Sequence, residues 1–216
     1  MIQVANQYFY INEIEKYAAS SKKIIEMGQE AKDTVDIARG YQYLGDYYTD
    51  RSDSDSAYYN FTQSEKLYAK TDDRENFGRA KLKKAYLIFK VNDLSLCEAI
   101  GIEVLKIAHE VKDLTLEYEC YNFLNAVLTA ENKYEEAIKY NNKALETLKE
   151  FKDDPQYFSI LTSQTYNSLG SVYMAKEDYK TAASYFKKGL EMDDLINIHP
   201  SFYAFVWDNL IFCQEK

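Results

Sequence analysis

The stretch SQTYNSLGSVYMAKEDYKTAASYFKKGLEMDDLI, Ser163 to Ile196, decides how the chain is read. With Ser163 as position 1, Tyr166 falls at 4, Leu169 and Gly170 at 7 and 8, and Tyr173 at 11. Glu177, Asp178 and Tyr179 follow at 15 to 17, and Ala182, Phe186 and Gly189 stand at 20, 24 and 27. Residues three and four apart share a helix face, so the first group predicts one helix, the last group a second, and positions 15 to 17 the turn between them. Gly170 and Ala182 are small enough to let the two backbones approach where they cross, with Tyr173 and Phe186 filling the space beside them. Asp178 is placed to cap the second helix, because a short carboxylate accepts from the free N–H groups at a helix start.

This spacing resembles the tetratricopeptide repeat, whose helix–turn–helix pattern W-x2-L-G-x2-Y…A-x3-F it matches with Tyr166 in place of Trp. The resemblance implies an all-α fold, a right-handed α-solenoid of antiparallel helix pairs, and binding as its class of work. Moving position 1 along the chain places the other stretches in the same frame. At the N-terminus Val4, Ala5 and Tyr8 take positions 7, 8 and 11, so the chain starts partway into a first helix. A unit from Ala38 carries Tyr41, Leu44, Gly45 and Tyr48, then Ala57, Phe61 and Ser64. The unit from Gly78 has Ala85, Ile88 and Cys97 in frame but departs from the pattern at Lys81, Lys84 and Gly101. The unit from Tyr118 has Tyr121, Leu124, Leu128 and Ala137 in frame, with Asn125 at position 8 and Asn141 at 24. A last helix would start at Ala204, with Trp207 at 4 and Leu210 at 7.

The units are therefore 1–37, 38–77, 78–117, 118–162 and 163–203, with a terminal helix 204–216: about five units of 40 to 45 residues and about eleven helices in one superhelical domain. The family's usual period is about 34, so each unit carries extra helical turns. Asp33, Asp73 and Asp113 recur 40 residues apart, five before each start, where each can cap a first helix that begins early. Pro155 after Asp154 and Pro200 after His199 mark the later boundaries, since proline suits the first helical position. The longer step is taken up at Phe151–Pro155. Both ends look cut, the last helix being strongly apolar, and a segment of a longer protein is expected.

Only 7 Gly and 2 Pro in 216 residues leave few helix breakers, and 46% hydrophobic residues are ample for a core. The net charge of −9 repels phosphate backbones and anionic lipid, so neither nucleic acid nor membrane contact is expected. Cys97, Cys120 and Cys213 lack metal-like spacing and read as free, buried small side chains. His109 and His199 are isolated, and Asp50, Asp53 and Asp55 lack the glycine and closing glutamate of a calcium loop. No phosphate-binding glycine loop, G-x-S-x-G, Cys-x-x-Cys or H-E-x-x-H occurs, so neither enzyme activity nor a cofactor or metal is expected.

In a stack of helix pairs the first helices line the concave side, and their positions 2, 5, 6, 9, 12 and 13 point into the groove. The second unit thereby contributes Arg39, Gln42, Tyr43, Asp46 and Thr49, and the third contributes Arg79, Lys83, Tyr86 and Lys90. Asn122 and Phe123 come from the fourth, and Gln164, Asn167, Ser168 and Ser171 from the fifth. Asn122 and Asn167 share position 5, where an amide can both donate to and accept from an extended peptide backbone. Arg79 and Lys83 form an i,i+4 pair beside Tyr86 that could receive a carboxylate, unless Asp46, Asp50 or Glu119 of neighbouring units already neutralises it.

The segment PSFYAFVWDNLI, Pro200 to Ile211, together with the long Tyr-rich units, resembles the tetratricopeptide sensor regions of Bacteroidetes histidine kinases and helix-turn-helix regulators. That resemblance implies a signalling output beyond Lys216 and, for a sensor kinase, a periplasmic location in place of the default cytoplasmic one. The expected partner is a protein or peptide segment in the groove. The alternative is a homodimer through the last helix, using Phe202, Phe205 and Trp207.

Overall fold

The computed structural model describes residues 1–151, 155–192 and 200–216, and within them the chain forms eleven helices and no strand. The chain divides into two compact units, Met1–Asp113 and Leu114–Lys216. The first holds α1 (Ile2–Tyr10), α2 (Ile14–Ala31), α3 (Thr34–Asp50), α4 (Ser54–Tyr68), α5 (Arg74–Lys90) and α6 (Leu94–Val111). The second holds α7 (Leu114–Ala130), α8 (Tyr134–Leu148), α9 (Pro155–Ala175), α10 (Tyr179–Leu190) and α11 (Pro200–Gln214). Inside each unit, helices adjacent in sequence pack against one another, as expected of helix pairs joined by short turns.

The 40-residue period is a structural period. α3, α5 and α7 begin at Thr34, Arg74 and Leu114, each directly after its aspartate, and α4, α6 and α8 begin at Ser54, Leu94 and Tyr134. Asp33 accepts from the N–H groups of Val35 at 2.9 Å and Asp36 at 3.1 Å, and Asp73 from that of Asn76 at 3.1 Å. Second helices are capped likewise by Asp53, Asp93 and Asp178, through the N–H groups of Ser56, Leu96 and Thr181. Glu13 and Lys133 stand at the same place and give no side-chain cap. Pro155 and Pro200 are the first residues of α9 and α11. Asp154, His199 and residues 193–196 of the reference stretch lie outside the described residues.

A feature the spacing did not announce recurs at position 15. Asn12, Ser52, Asn92, Asn132 and Glu177 all take φ between 58° and 64°, the left-handed conformation that turns the chain from first helix to second. Asparagine tolerates that region better than other non-glycine residues, which makes the three Asn the legible part of the signal.

The crossing of each helix pair is filled according to what stands at positions 8 and 24. A Cβ built on Gly45 would lie 2.4 Å from the Phe61 ring, and one on Gly170 would lie 2.5 Å from the Phe186 ring. In the fourth unit two amides replace glycine and aromatic: the Asn141 Nδ2 donates to the Asn125 Oδ1 at 2.6 Å, and both residues are buried. In the third unit the Cys97 thiol approaches the Ala85 carbonyl oxygen at 3.6 Å, and Gly101 is buried on the same helix.

The lysines that depart from the pattern in that unit are neutralised by carboxylates. Lys84 pairs with Glu65, and Lys81 lies 4.0 Å from Glu65 and 2.5 Å from Glu103, with both lysine side chains only 15% exposed. The three cysteines are buried, and burial pushes the Cys97 thiol up to about 11.

Gly170→Ala is expected to destabilise the protein by about 1–3 kcal/mol, because the added methyl group meets the Phe186 ring. Chemical denaturation measures it. In a Phe186→Leu background the same substitution should cost clearly less, and an equal cost in both backgrounds would deny that the crossing is filled by that ring.

Candidate functional site

α3 and α5 are successive first helices of the N-terminal unit, and together with α4 they enclose a cleft of about 310 Å³. α3 supplies Asp46 and Thr49, α5 supplies Lys83, Tyr86, Leu87 and Lys90, and Phe61 of α4 forms the floor. The helical repeat explains the assembly: Lys83, Tyr86 and Lys90 are three, four and seven residues apart and share one face of α5. Asp46 and Thr49 do the same on α3.

Asp46 is the electrostatic centre of the cleft. Its Oδ1 lies 2.5 Å from the Lys83 Nζ, and the Tyr17 hydroxyl of α2 is near the same carboxylate. Burial nevertheless raises the pKa of Asp46 above its ordinary 3.8, the desolvation of the carboxylate outweighing the attraction of Lys83. The Tyr17 hydroxyl is raised as well, first by burial and then by the nearby Asp46 charge. Lys83 also lies over the Phe61 ring, 5.9 Å from its centroid. Its ammonium group is thus held between a carboxylate and an aromatic face.

The nominated residues divide. Asp46, Lys83 and Tyr86 come together in the cleft, with Thr49 and Lys90 from the same groove positions. Arg79 is engaged by Glu75 at 3.3 Å and by Asp113, and Lys83 by Asp46, so this basic pair is neutralised within its own unit. Arg39 pairs with Asp36 at 3.2 Å, and the Tyr43 ring packs 5.4 Å from that of Tyr17. Gln42 is 7% exposed and Phe123 fully buried, which makes them part of the core. In the C-terminal unit Asn122, Gln164, Asn167 and Ser168 are half-buried, and the Ser171 hydroxyl donates to the Asn167 carbonyl oxygen. The Asn167 Oδ1 is enclosed with no hydrogen-bond partner among the described residues.

Phe61 and Leu87 are cleft residues that the sequence reading did not nominate. Phe61 had been assigned to the helix crossing, and Leu87 holds position 10, outside the groove set. On α11, Phe205 and Trp207 are 54% and 46% exposed, while Phe202 packs against the core formed with α10. Ile211 and Phe212 of the same helix are exposed as well. Among the described residues there is no group of three or more His, Cys, Asp or Glu able to hold a metal ion, and no helix long and apolar enough to cross a membrane.

Solved structures superpose on nearly the whole chain. BtubC (BKLC) from P. vanneervenii matches with a TM-score of 0.75 at 19% identity, over 94% of this chain and 83% of that one. The architecture is that of the tetratricopeptide repeat. A Rap protein complexed with Competence and Sporulation Factor matches with a TM-score of 0.71 at 14% identity, over 95% of this chain and 57% of that one. A signal-transduction ATPase of the STAND class with a tetratricopeptide repeat sensor, from Pyrococcus horikoshii, matches with a TM-score of 0.69 at 20% identity, over 98% of this chain and 31% of that one. No family model and no curated protein matches the sequence. At these identities the likeness is one of tetratricopeptide fold.

The raised Asp46 pKa fixes a sign. A carboxyl that binds its proton more tightly when folded contributes stability fully present below its unfolded pKa and lost as pH rises through its folded one. Relative to Asp46→Asn, the parent protein is therefore expected to gain stability as pH falls from neutral toward the ordinary carboxylate value of 3.8. Denaturant midpoints of both proteins across that range measure the difference. A difference that grows in the opposite direction would mean that the Lys83 pair outweighs the desolvation.

Proposed function

We propose that this chain is a non-catalytic module that binds a protein or peptide segment, serving as the sensor or scaffold part of a larger bacterial signalling regulator. The observation that carries the reading is the α3–α5 cleft. It is concave and apolar-floored, with a few convergent polar groups, and its walls are the first-helix positions that such repeats direct toward a ligand. Its volume of about 310 Å³ suits a side chain or two of an extended segment. Support for the signalling role comes from two proteins of the same fold, a Rap protein solved with Competence and Sporulation Factor and an ATPase whose tetratricopeptide repeats are described as a sensor.

Thr49 is exposed on the cleft wall, so Thr49→Trp fills the cleft without disturbing the core. Selection of a displayed random peptide library on the purified chain is expected to enrich a motif, and Thr49→Trp is expected to abolish its binding while the helical circular dichroism is unchanged. Enrichment indifferent to Thr49→Trp would move the binding surface elsewhere. The paired substitutions Asn122→Ala and Asn167→Ala then show whether the C-terminal unit contributes.

A second reading is self-association, favoured by the large apolar side chains Phe205, Trp207, Ile211 and Phe212 that α11 exposes. It expects a mass that rises with concentration in sedimentation and returns to monomer in Phe205→Ser/Trp207→Ser. A concentration-independent monomer removes it.

A further inference from the structure

The cleft holds one carboxylate and two ammonium groups, and they are not equivalent. Lys83 is committed to Asp46 at 2.5 Å and lies over the Phe61 ring. Lys90, on the same face of α5 and two turns along it, is exposed and pairs with no carboxylate among the described residues. The rest of the lining is apolar at Phe61 and Leu87, which are 1% and 6% exposed, and at the Tyr86 ring, which is 42% exposed. An engineered apolar cavity of about 150 Å³ suffices to hold a benzene molecule. The cleft, at about 310 Å³, accommodates one large apolar side chain together with the main chain beside it.

Resting on the peptide-binding reading above, we infer that the cleft selects a segment in which one large apolar residue stands beside a single Asp or Glu. The apolar side chain lies against the exposed Tyr86 ring, and the carboxylate pairs with Lys90. Asp46 does the complementary work at the other end. By neutralising Lys83 it removes the attraction for a second acidic residue there, and its own charge repels one. The segment is thereby read for the side on which its acid lies, as well as for having one.

The test is selection of a displayed random dodecapeptide library on the full chain and, separately, on Lys90→Glu. Lys90 is exposed in the last turn of α5, and Lys90→Gln serves as a milder variant should the reversal disturb the helix end. The parent is expected to enrich an apolar residue flanked by Asp or Glu. Its selected peptide should bind Lys90→Glu about tenfold more weakly, and a fresh selection on that variant should replace the acid by Lys or Arg. Asp46→Asn should admit a second acidic residue into the motif. A motif without an acid, or one unchanged on Lys90→Glu, overturns this specificity and leaves the peptide-binding reading standing, provided Thr49→Trp still abolishes binding. Enrichment indifferent to Thr49→Trp overturns this specificity and moves the binding surface elsewhere, and absence of enrichment overturns both.

Discussion

The helix pairs depend on one contact, the meeting of positions 8 and 24 where first and second helix cross. Backbones can approach there only if the two side chains together fill a fixed space, and the units meet that constraint with different chemistry. Glycine against phenylalanine does it in the second and fifth units, Gly45 with Phe61 and Gly170 with Phe186. A pair of hydrogen-bonded amides, Asn125 and Asn141, does it in the fourth. Neither member of such a pair can be exchanged independently, because a close-packed interior answers both to a void and to an overfilled site. The amide pair carries an additional condition. Its members are buried, so each must find its partner or leave an unsatisfied group.

A second locus, positions 4, 23 and 26, follows the same logic with charge. In the fourth unit Lys143 lies over the rings of Tyr121 and Tyr140, and in the fifth Lys188 lies over those of Tyr166 and Tyr185. In the third unit position 4 is Lys81, and Glu103 at 26 pairs with it. An ammonium group held on a tyrosine pair and an ion pair are two ways of holding the outer edges of the two helices together. The high tyrosine content thus has a structural cause beyond filling the core. The inner pair of Lys84 with Glu65 is worth little as net stability, but it penalises any slip that would leave one of these shielded charges alone.

Most of the fold was legible because helix packing writes itself into spacing. Residues three and four apart report a face, small residues report a crossing, and Asp33, Asp73 and Asp178 report helix starts, all of which are local properties of the chain. The candidate site was legible only in part. That Asp46 and Lys83 stand at outward positions of their helices follows from spacing, whereas their pairing depends on the register between two first helices 37 residues apart in sequence. The same holds for Arg79, whose partner Asp113 is 34 residues away. A frame that treats each helix separately gives directions and not distances, so neutralisation of the two basic residues could be anticipated, Asp46 for Lys83 among the candidates, while Asp113 as the partner of Arg79 was not. Phe123 shows the opposite error. Position 6 faces the groove in the third unit, yet in the fourth the surrounding residues close over it entirely.

Phe61 shows why fold and site cannot be separated in the N-terminal unit. Its ring fills the space that Gly45 leaves at the crossing and also forms the floor of the cleft. Its side chain is 1% exposed, so a substitution there acts through packing, and loss of binding in a Phe61 variant would say nothing about recognition. Thr49 and Lys90 differ because they are exposed on the rim, where a change of size or charge is felt by an occupant and hardly by the core. On the binding reading proposed above, the crossing fixes the two helices rigidly, and the outward positions, free of the packing constraint, are where charge can specify an occupant of the cleft.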